Sequence, residues 1–541
     1  MFSQGWLGLV QFIASVLSLA VIIFTSVQAY LAYRHTKRSR RRERVKAAFN
    51  AVCTTPAPSI AEYEKIYEDL LSSYGKDERA GYLLTDLDYI HSCIEKIRTS
   101  HRPHLPYRQT APAKYCFPVV SKPEFLLSRN EELRIHFRQI ASPATRTASL
   151  EETRTFLDKF DIGDFATYLR SNDRKLWNAR TFELSRIESR KNDVTLSFQL
   201  GDYYRYVNNN EPCPKELYFH RYISQLEQFS TTVPSRAFRQ LAPQDVGCVK
   251  RTVRKMSRCV SRTLQTLRCS VRGEDMSDLV PPPNLIRDAI RLNDLFSAQP
   301  RPTCMGISAF VIMNKGNGKY CTFIQKRDSN QVEYPGCFHV APAGTFQPLC
   351  DFDEETIQKQ CALAYTVLRE LLEEVFGLEE ADRYRGVDPF GIFELNVDVP
   401  RRNGKGFCPG KLLEIGKALE EENHNYRIVP TSFAVDLMTA KPHVSTVLVI
   451  KKSELYRQAK RVFKGNWEGN VKEYDIESDD FKSFLEYNFH VDGFPPVGAV
   501  TVSEGMAYYW THRAELLRTT APSSTSRARR EGRKSRDDDQ E

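Results

Sequence analysis

The chain has 541 residues, enough for more than one domain. Its 27% charged and 41% hydrophobic residues are ordinary for a globular protein and exclude a wholly disordered chain. The net charge of +9 is modest for this size, and no specific nucleic-acid binding is predicted from it. Thirteen cysteines, an odd number with no Cys-x-x-Cys pair, read as buried thiols in a reducing compartment; their spacing predicts no zinc site.

From Met1 to Tyr33 there is no charged residue, and Leu7 to Tyr30 is apolar except for Gln11, Gln28 and a few Ser and Thr. Such a run is long enough to cross a bilayer core of about 30 Å as a helix. Trp6 at one end, and Tyr30 and Tyr33 at the other, suit the two interfaces. The basic run Arg34 to Arg42 follows directly. A cleaved signal peptide has the opposite order, with its basic residues first. Residues 1–33 are therefore expected to be a single transmembrane helix, with the N-terminus outside and the bulk of the chain cytoplasmic. Residues 34–59 are expected to be a basic juxtamembrane segment and linker. Within them, Arg34 to Lys46 suits anionic lipid head groups, or serves simply as a stop-transfer flank.

Residues 60–300 read as a mixed helical and strand domain of unknown role. Ile60 to Arg98 has helical spacing at Tyr63, Ile66, Tyr67, Leu70 and Leu71. His101 to Lys122 is proline-rich and expected to be irregular, whereas Val194 to Leu200 alternates as a strand does. Val249 to Val271 predicts a basic helix with an apolar stripe. Its charged side is read as a solvated face in preference to a membrane or anion-binding surface. No catalytic pattern stands out in this region.

Residues 301–517 read as one compact α/β unit. Ile307 to Met313 and Tyr320 to Gln325 flank the turn Gly316-Asn317-Gly318 and predict a hairpin. Pro335-Gly336 and Pro342-Ala343-Gly344 punctuate a loop, and Thr356 to Phe376 predicts a long helix. Phe390 to Val399 and Val444 to Ile450 predict further strands. Residues 518–541 are rich in Ser, Arg and Asp and predict a disordered tail.

The chemistry is concentrated in Arg369-Glu370-Leu371-Leu372-Glu373-Glu374. Positions three and four apart share a helix face, so Glu370, Glu373 and Glu374 converge, with Leu368, Leu371, Leu372 and Val375 on the core side. Carboxylates clustered on a rigid element suit hard divalent cations.

A hairpin, a glycine loop and a helix ending in this run resemble the Nudix hydrolases. Their signature is Gly-x5-Glu-x7-Arg-Glu-U-x-Glu-Glu-x-Gly-U, with U aliphatic. The resemblance implies an α/β/α sandwich for residues 301–517 and hydrolysis of a diphosphate linkage in a nucleoside-diphosphate derivative, with Mg²⁺ or Mn²⁺. It implies that Glu373 and Glu374 are metal ligands, and that Glu370 is a ligand or helps to activate water. Arg369 would fix a glutamate rotamer, and Gly344 would be the loop glycine before the helix. The sequence departs from the signature in three ways. Gly344 to Arg369 is longer than the family spacing. Cys361 stands where the first glutamate is expected, with Asp351, Asp353, Glu354 or Glu355 as possible substitutes. Val375-Phe376 adds one residue before Gly377. The whole chain thus reads as a membrane-anchored, Nudix-like hydrolase on the cytosolic side. The alternatives are a catalytically impaired nucleotide sensor and a membrane-held signalling scaffold.

Overall fold

The structure is a computed structural model. It describes most of residues 25–53, 83–86, 116–121, 132–137, 151–220, 303–348, 357–376, 426–460, 469–488 and 493–519, with a few positions between them. The expected basic helix over Val249 to Val271, the expected strand over Phe390 to Val399, and tail residues 520–541 lie outside the described residues, as does most of Ile60 to Arg98.

The chain divides into two compact units. The first comprises Met1–Thr55, Thr155–Ile162 and Lys215–Leu285. Its described core is aromatic. Phe49 stacks on Phe160 at 3.9 Å between ring centroids and meets Phe156 and Phe219 edge-on at 5.6 and 5.9 Å. Val45, Ala48, Phe49 and Cys53 are buried along one side of the helix over 42–53, at the i, i+3, i+4 and i+8 spacing that one helix face provides. At the start of this helix, Arg42 and Lys46 both pair with Asp161.

Among the described residues no helix is long and apolar enough to cross a membrane. This corrects the expected transmembrane helix over residues 1–33, and with it the single-pass placement with the N-terminus outside. The described positions of 25–33 are mostly exposed, with Val27, Leu31 and Tyr33 turned outward, and lead into the helix over 42–53. Residues 1–24 lie outside the described residues.

The second unit comprises Pro56–Arg154, Gly163–Pro214 and Ile286–Glu541. Its strands are β1 (Leu83–Asp86), β2 (Cys116–Ser121), β3 (Glu132–Phe137), β4 (Arg180–Arg190), β5 (Asp193–Asp202), β6 (Gly306–Gly316), β7 (Lys319–Arg327), β8 (Phe338–Val340), β9 (Ala343–Thr345), β10 (Tyr426–Asp436), β11 (Lys441–Ile450) and β12 (Gly469–Asp475). Several of these differ from expectation; β8 and β9 fall in the stretch read as a loop. Leu83–Asp86 falls in a stretch with helical spacing, and Cys116–Ser121 in one expected to be irregular. The two segments pair with each other, and β2 pairs with β10, so long-range pairing decides their conformation.

The large sheet runs β1-β2-β10-β11-β6-β7-β12. β11 and β6 are parallel, in register from His443↔Gly306 to Ile450↔Met313. Both are buried nearly throughout, as strands covered on both faces must be. The β6–β7 hairpin pairs only near its turn, from Met313↔Cys321 to Gly316↔Lys319. Beyond it the strands part, and the opening is filled by β9 paired to β6 and β8 paired to β7. A cis Ala341–Pro342 bond carries the chain from β8 to β9.

Helices cover both faces. Side chains alternate along β6. Ser308 reaches Thr501 of the long helix Pro496–Thr519 at 2.6 Å, and Phe310 lies beneath Gly505 of the same helix. Gly344, opposite Ile307 in register, instead faces Glu370 on the other side.

A second sheet, β3-β5-β4, joins the large one through the main chain. Phe182 N–H donates to Phe346 O at 3.0 Å, and Leu184 N–H to Thr303 O at 3.0 Å. Phe346 packs between Phe182 and Phe198, with centroids at 4.7 and 4.9 Å.

Candidate functional site

In chain order the helices of the second unit are α1 (Glu151–Asp158, whose last four residues belong to the first unit), α2 (Phe165–Ser171), α3 (Tyr203–Asn210), α4 (Leu363–Glu370), α5 (Ser453–Ala459), α6 (Asp479–Asn488) and α7 (Pro496–Thr519). The single helix expected over Thr356 to Phe376 is interrupted. Ala362 is extended, with φ −139° and ψ 140°, so α4 starts afresh at Leu363 after a short turn that buries Cys361.

α4 continues into a π turn, Leu371–Val375, in which Phe376 N–H donates to Leu371 O at 3.2 Å. An i→i+5 turn holds one residue more than an α turn. The extra residue noted before Gly377 is thus absorbed inside the helix, around Glu373 and Glu374.

Leu368, Leu371, Leu372 and Val375 are buried, as the periodicity predicts. So are the residues of the polar side: Arg369 at 4% exposure, Glu370 and Glu373 at 7%, and Glu374 at 0%. This is no solvated acidic face. Two of the glutamates converge on β9. Glu370 lies so close over Gly344 that a Cβ added there would stand 2.3 Å from its carboxyl carbon. Glu374 accepts the Ala343 N–H at 2.8 Å. Arg369 pairs with Glu370, and its guanidinium reaches Thr345 O at 3.5 Å. The structure therefore brings Arg369, Glu370, Glu374 and Gly344 together. Glu373 sits on the same π turn, which packs near β12.

The donor chemistry of three carboxylates fits a hard divalent cation. Their present arrangement turns Glu370 to Arg369 and Glu374 to the backbone. Among the described residues no group of three or more His, Cys, Asp or Glu stands together as a metal site. Asp351, Asp353, Glu354 and Glu355 lie outside the described residues. Cys361 is no substitute, because burial pushes its thiol well above the usual range.

Other polar residues of interest serve the fold. His339 Nδ1 bonds to Val340 O at 3.0 Å, and burial lowers its pKa to about 3. His443 Nε2 lies 2.7 Å from Ser308 Oγ and is likewise held neutral by burial. Asp436 accepts the Met438 N–H at 2.8 Å and the Tyr334 hydroxyl.

Sequence reasoning missed the ion pair between Lys441 and Glu333, with 2.8 and 3.0 Å to the two carboxylate oxygens. Burial pushes the Lys441 ammonium down, but Glu333 more than offsets this and its pKa is raised. No local signal marks a pair 108 positions apart.

No protein-family model matches the sequence, and no curated protein matches it either.

Proposed function

We propose that residues 301–517 form a Nudix-type domain that hydrolyses a diphosphate linkage in a nucleoside-diphosphate derivative, with Mg²⁺ or Mn²⁺. The observation carrying this reading is the placement of Glu370 directly over Gly344, with Arg369 paired to Glu370 and Glu374 accepting the Ala343 N–H. Glu370, Glu373 and Glu374 would hold the cation. When bound, it would neutralise charge on non-bridging phosphate oxygens and lower the pKa of a bound water. The chain's own residues prepare this. Arg369 sets the Glu370 rotamer, Glu374 ties the helix to β9, and the bare Cα of Gly344 leaves room for the Glu370 carboxylate. The test is turnover of a panel of nucleoside-diphosphate derivatives by the full chain with Mg²⁺, beside Glu373→Gln. Turnover that Glu373→Gln abolishes supports the proposal. Equal rates for the two proteins, or none for either, would sink it.

A second reading keeps nucleotide recognition without hydrolysis. Two observations favour it: Cys361 at the first-glutamate position is a buried thiol, and the described carboxylates do not form a group around one point. Nucleotide binding by calorimetry without turnover is its signature.

A further inference from the structure

Exposed large apolar side chains are few among the described residues, and they gather in one place. Val27, Leu31 and Tyr33 lie within two turns of one another, 49%, 50% and 62% exposed, while Tyr487 stands alone elsewhere. A single exposed apolar residue needs no explanation, whereas a group of them marks a contact surface. Every described position from 25 to 39 is helical and exposed, except Tyr30, which is half-buried. The Thr36 hydroxyl donates to Ala32 O at 2.8 Å, one turn back.

Steps of four and three residues keep to one side of a helix. From Val27 they give Leu31, then Arg34, Arg38 and Arg41, then Val45 and Ala48. The far end of this line is buried in the phenylalanine core of the first unit. The near end is an apolar turn in the open, and arginines lie between. Arg38 and Arg44 are exposed, whereas Arg42 and Lys46 are engaged by Asp161. In sequence, Arg34 to Lys46 carries eight Lys and Arg against the single Glu43. Charge decides what can cover such a line. A second copy paired in parallel would set arginines against arginines, and an antiparallel one would set them against Val27 and Leu31. An acidic protein surface would satisfy the arginines and leave the apolar turn unmatched. An anionic lipid surface matches both: its acyl boundary takes Val27 and Leu31, and its phosphates take the guanidinium groups. Tyr30 and Tyr33 each join an apolar ring to a polar hydroxyl, which suits the same boundary.

We infer that the exposed helix side running from Val27 through Leu31 to Arg38 and Arg44 docks on an anionic lipid surface. It lies in the head-group boundary and does not cross the bilayer, in keeping with the absence of a spanning helix among the described residues. The docking is independent of the hydrolase function proposed above.

The test is flotation of the full chain with vesicles of phosphatidylcholine alone or mixed with phosphatidylserine. The chain is expected to float with the mixed vesicles, far less with the neutral ones, and less again as salt is raised. Arg38→Gln should weaken binding to the mixed vesicles about five-fold, the contribution of one basic residue near such a surface. Leu31→Asp should weaken it about ten-fold or more, because a half-exposed leucine no longer gains burial. Both side chains are exposed, so the thermal transition of each variant should match the wild type. Tyr487→Asp and Glu373→Gln should float as the wild type does, which keeps this test apart from that of the hydrolase. No binding to the mixed vesicles, equal binding to both kinds, or binding unchanged in both Arg38→Gln and Leu31→Asp overturns the inference. So does self-association without vesicles that Leu31→Asp abolishes, which would assign this side of the helix to a second copy.

Discussion

The Glu374 carboxylate and the Ala343 backbone N–H are joined at 2.8 Å across 31 positions of sequence. The contact ties the π turn after α4 to β9, and so sets where Glu370 meets Gly344. Glu374 is fully buried. Glu374→Ala would leave a backbone donor unsatisfied, at a cost of about 1–3 kcal/mol. Glu374→Gln keeps an acceptor and is expected to lose less. Urea unfolding of both variants checks this; an unchanged stability of Glu374→Ala would mean that the contact contributes nothing.

Gly344→Ala tests the neighbouring contact. A Cβ at 344 would stand 2.3 Å from the Glu370 carboxyl carbon and 2.3 and 2.7 Å from its oxygens. Glu370 must move, and its pairing with Arg369 limits where it can go. A loss of about 1–3 kcal/mol is expected from this overpacking. Turnover should fall far more than stability does. An alanine variant with wild-type turnover would show that the Glu370 position is not critical.

Much of the frame was legible in the sequence. The hairpin around Gly316-Asn317-Gly318, the strand at Val194 to Leu200 and the apolar face of α4 follow from local periodicity, which is where sequence speaks most directly. β1 and β2 were not legible, because their conformation comes from pairing with each other and with β10. The convergence of the glutamates on one side of α4 follows from their spacing, but their burial does not. That side is buried because β9 lies over it, and β9 is only three residues long. The Glu333–Lys441 pair had no local signature. The apolar N-terminal run gave the strongest sequence signal for a membrane helix, yet its described continuation at 42–53 packs on Phe156, Phe160 and Phe219.

Glu504 of α7 makes stability depend on pH. It hydrogen-bonds Thr431, and burial raises its pKa to about 7 from 4.5. The folded state thus holds this proton more tightly than the unfolded one. The stabilisation is fully present below pH 4.5 and is lost as pH rises towards 7, by about 3 kcal/mol at most. Buried His339 acts in the opposite sense. Its folded pKa of about 3 lies below 6.5, so its contribution is present above pH 6.5 and lost as pH falls. Comparison with Glu504→Gln isolates the first effect. Between pH 4.5 and 7.5 the variant should gain stability relative to the wild type as pH rises. A constant difference would refute the assignment.

Phe49 is the residue on which the first unit's described core turns. It is 1% exposed and touches three other phenylalanine rings. Phe49→Ala removes a stacked contact and two edge contacts and leaves a cavity, a change that costs about 3–5 kcal/mol in a close-packed core. Asp161, at the surface of the same unit, is the control. Its carboxyl is held below the usual range by its hydrogen bond to Lys46 and by Arg42, but exposed pairs of this kind contribute little. Thermal unfolding of the full chain should therefore show a lowered transition for Phe49→Ala and almost none of that shift for Asp161→Asn. The reverse order would mean that the helix over 42–53 is held by its charges and not by its aromatic face.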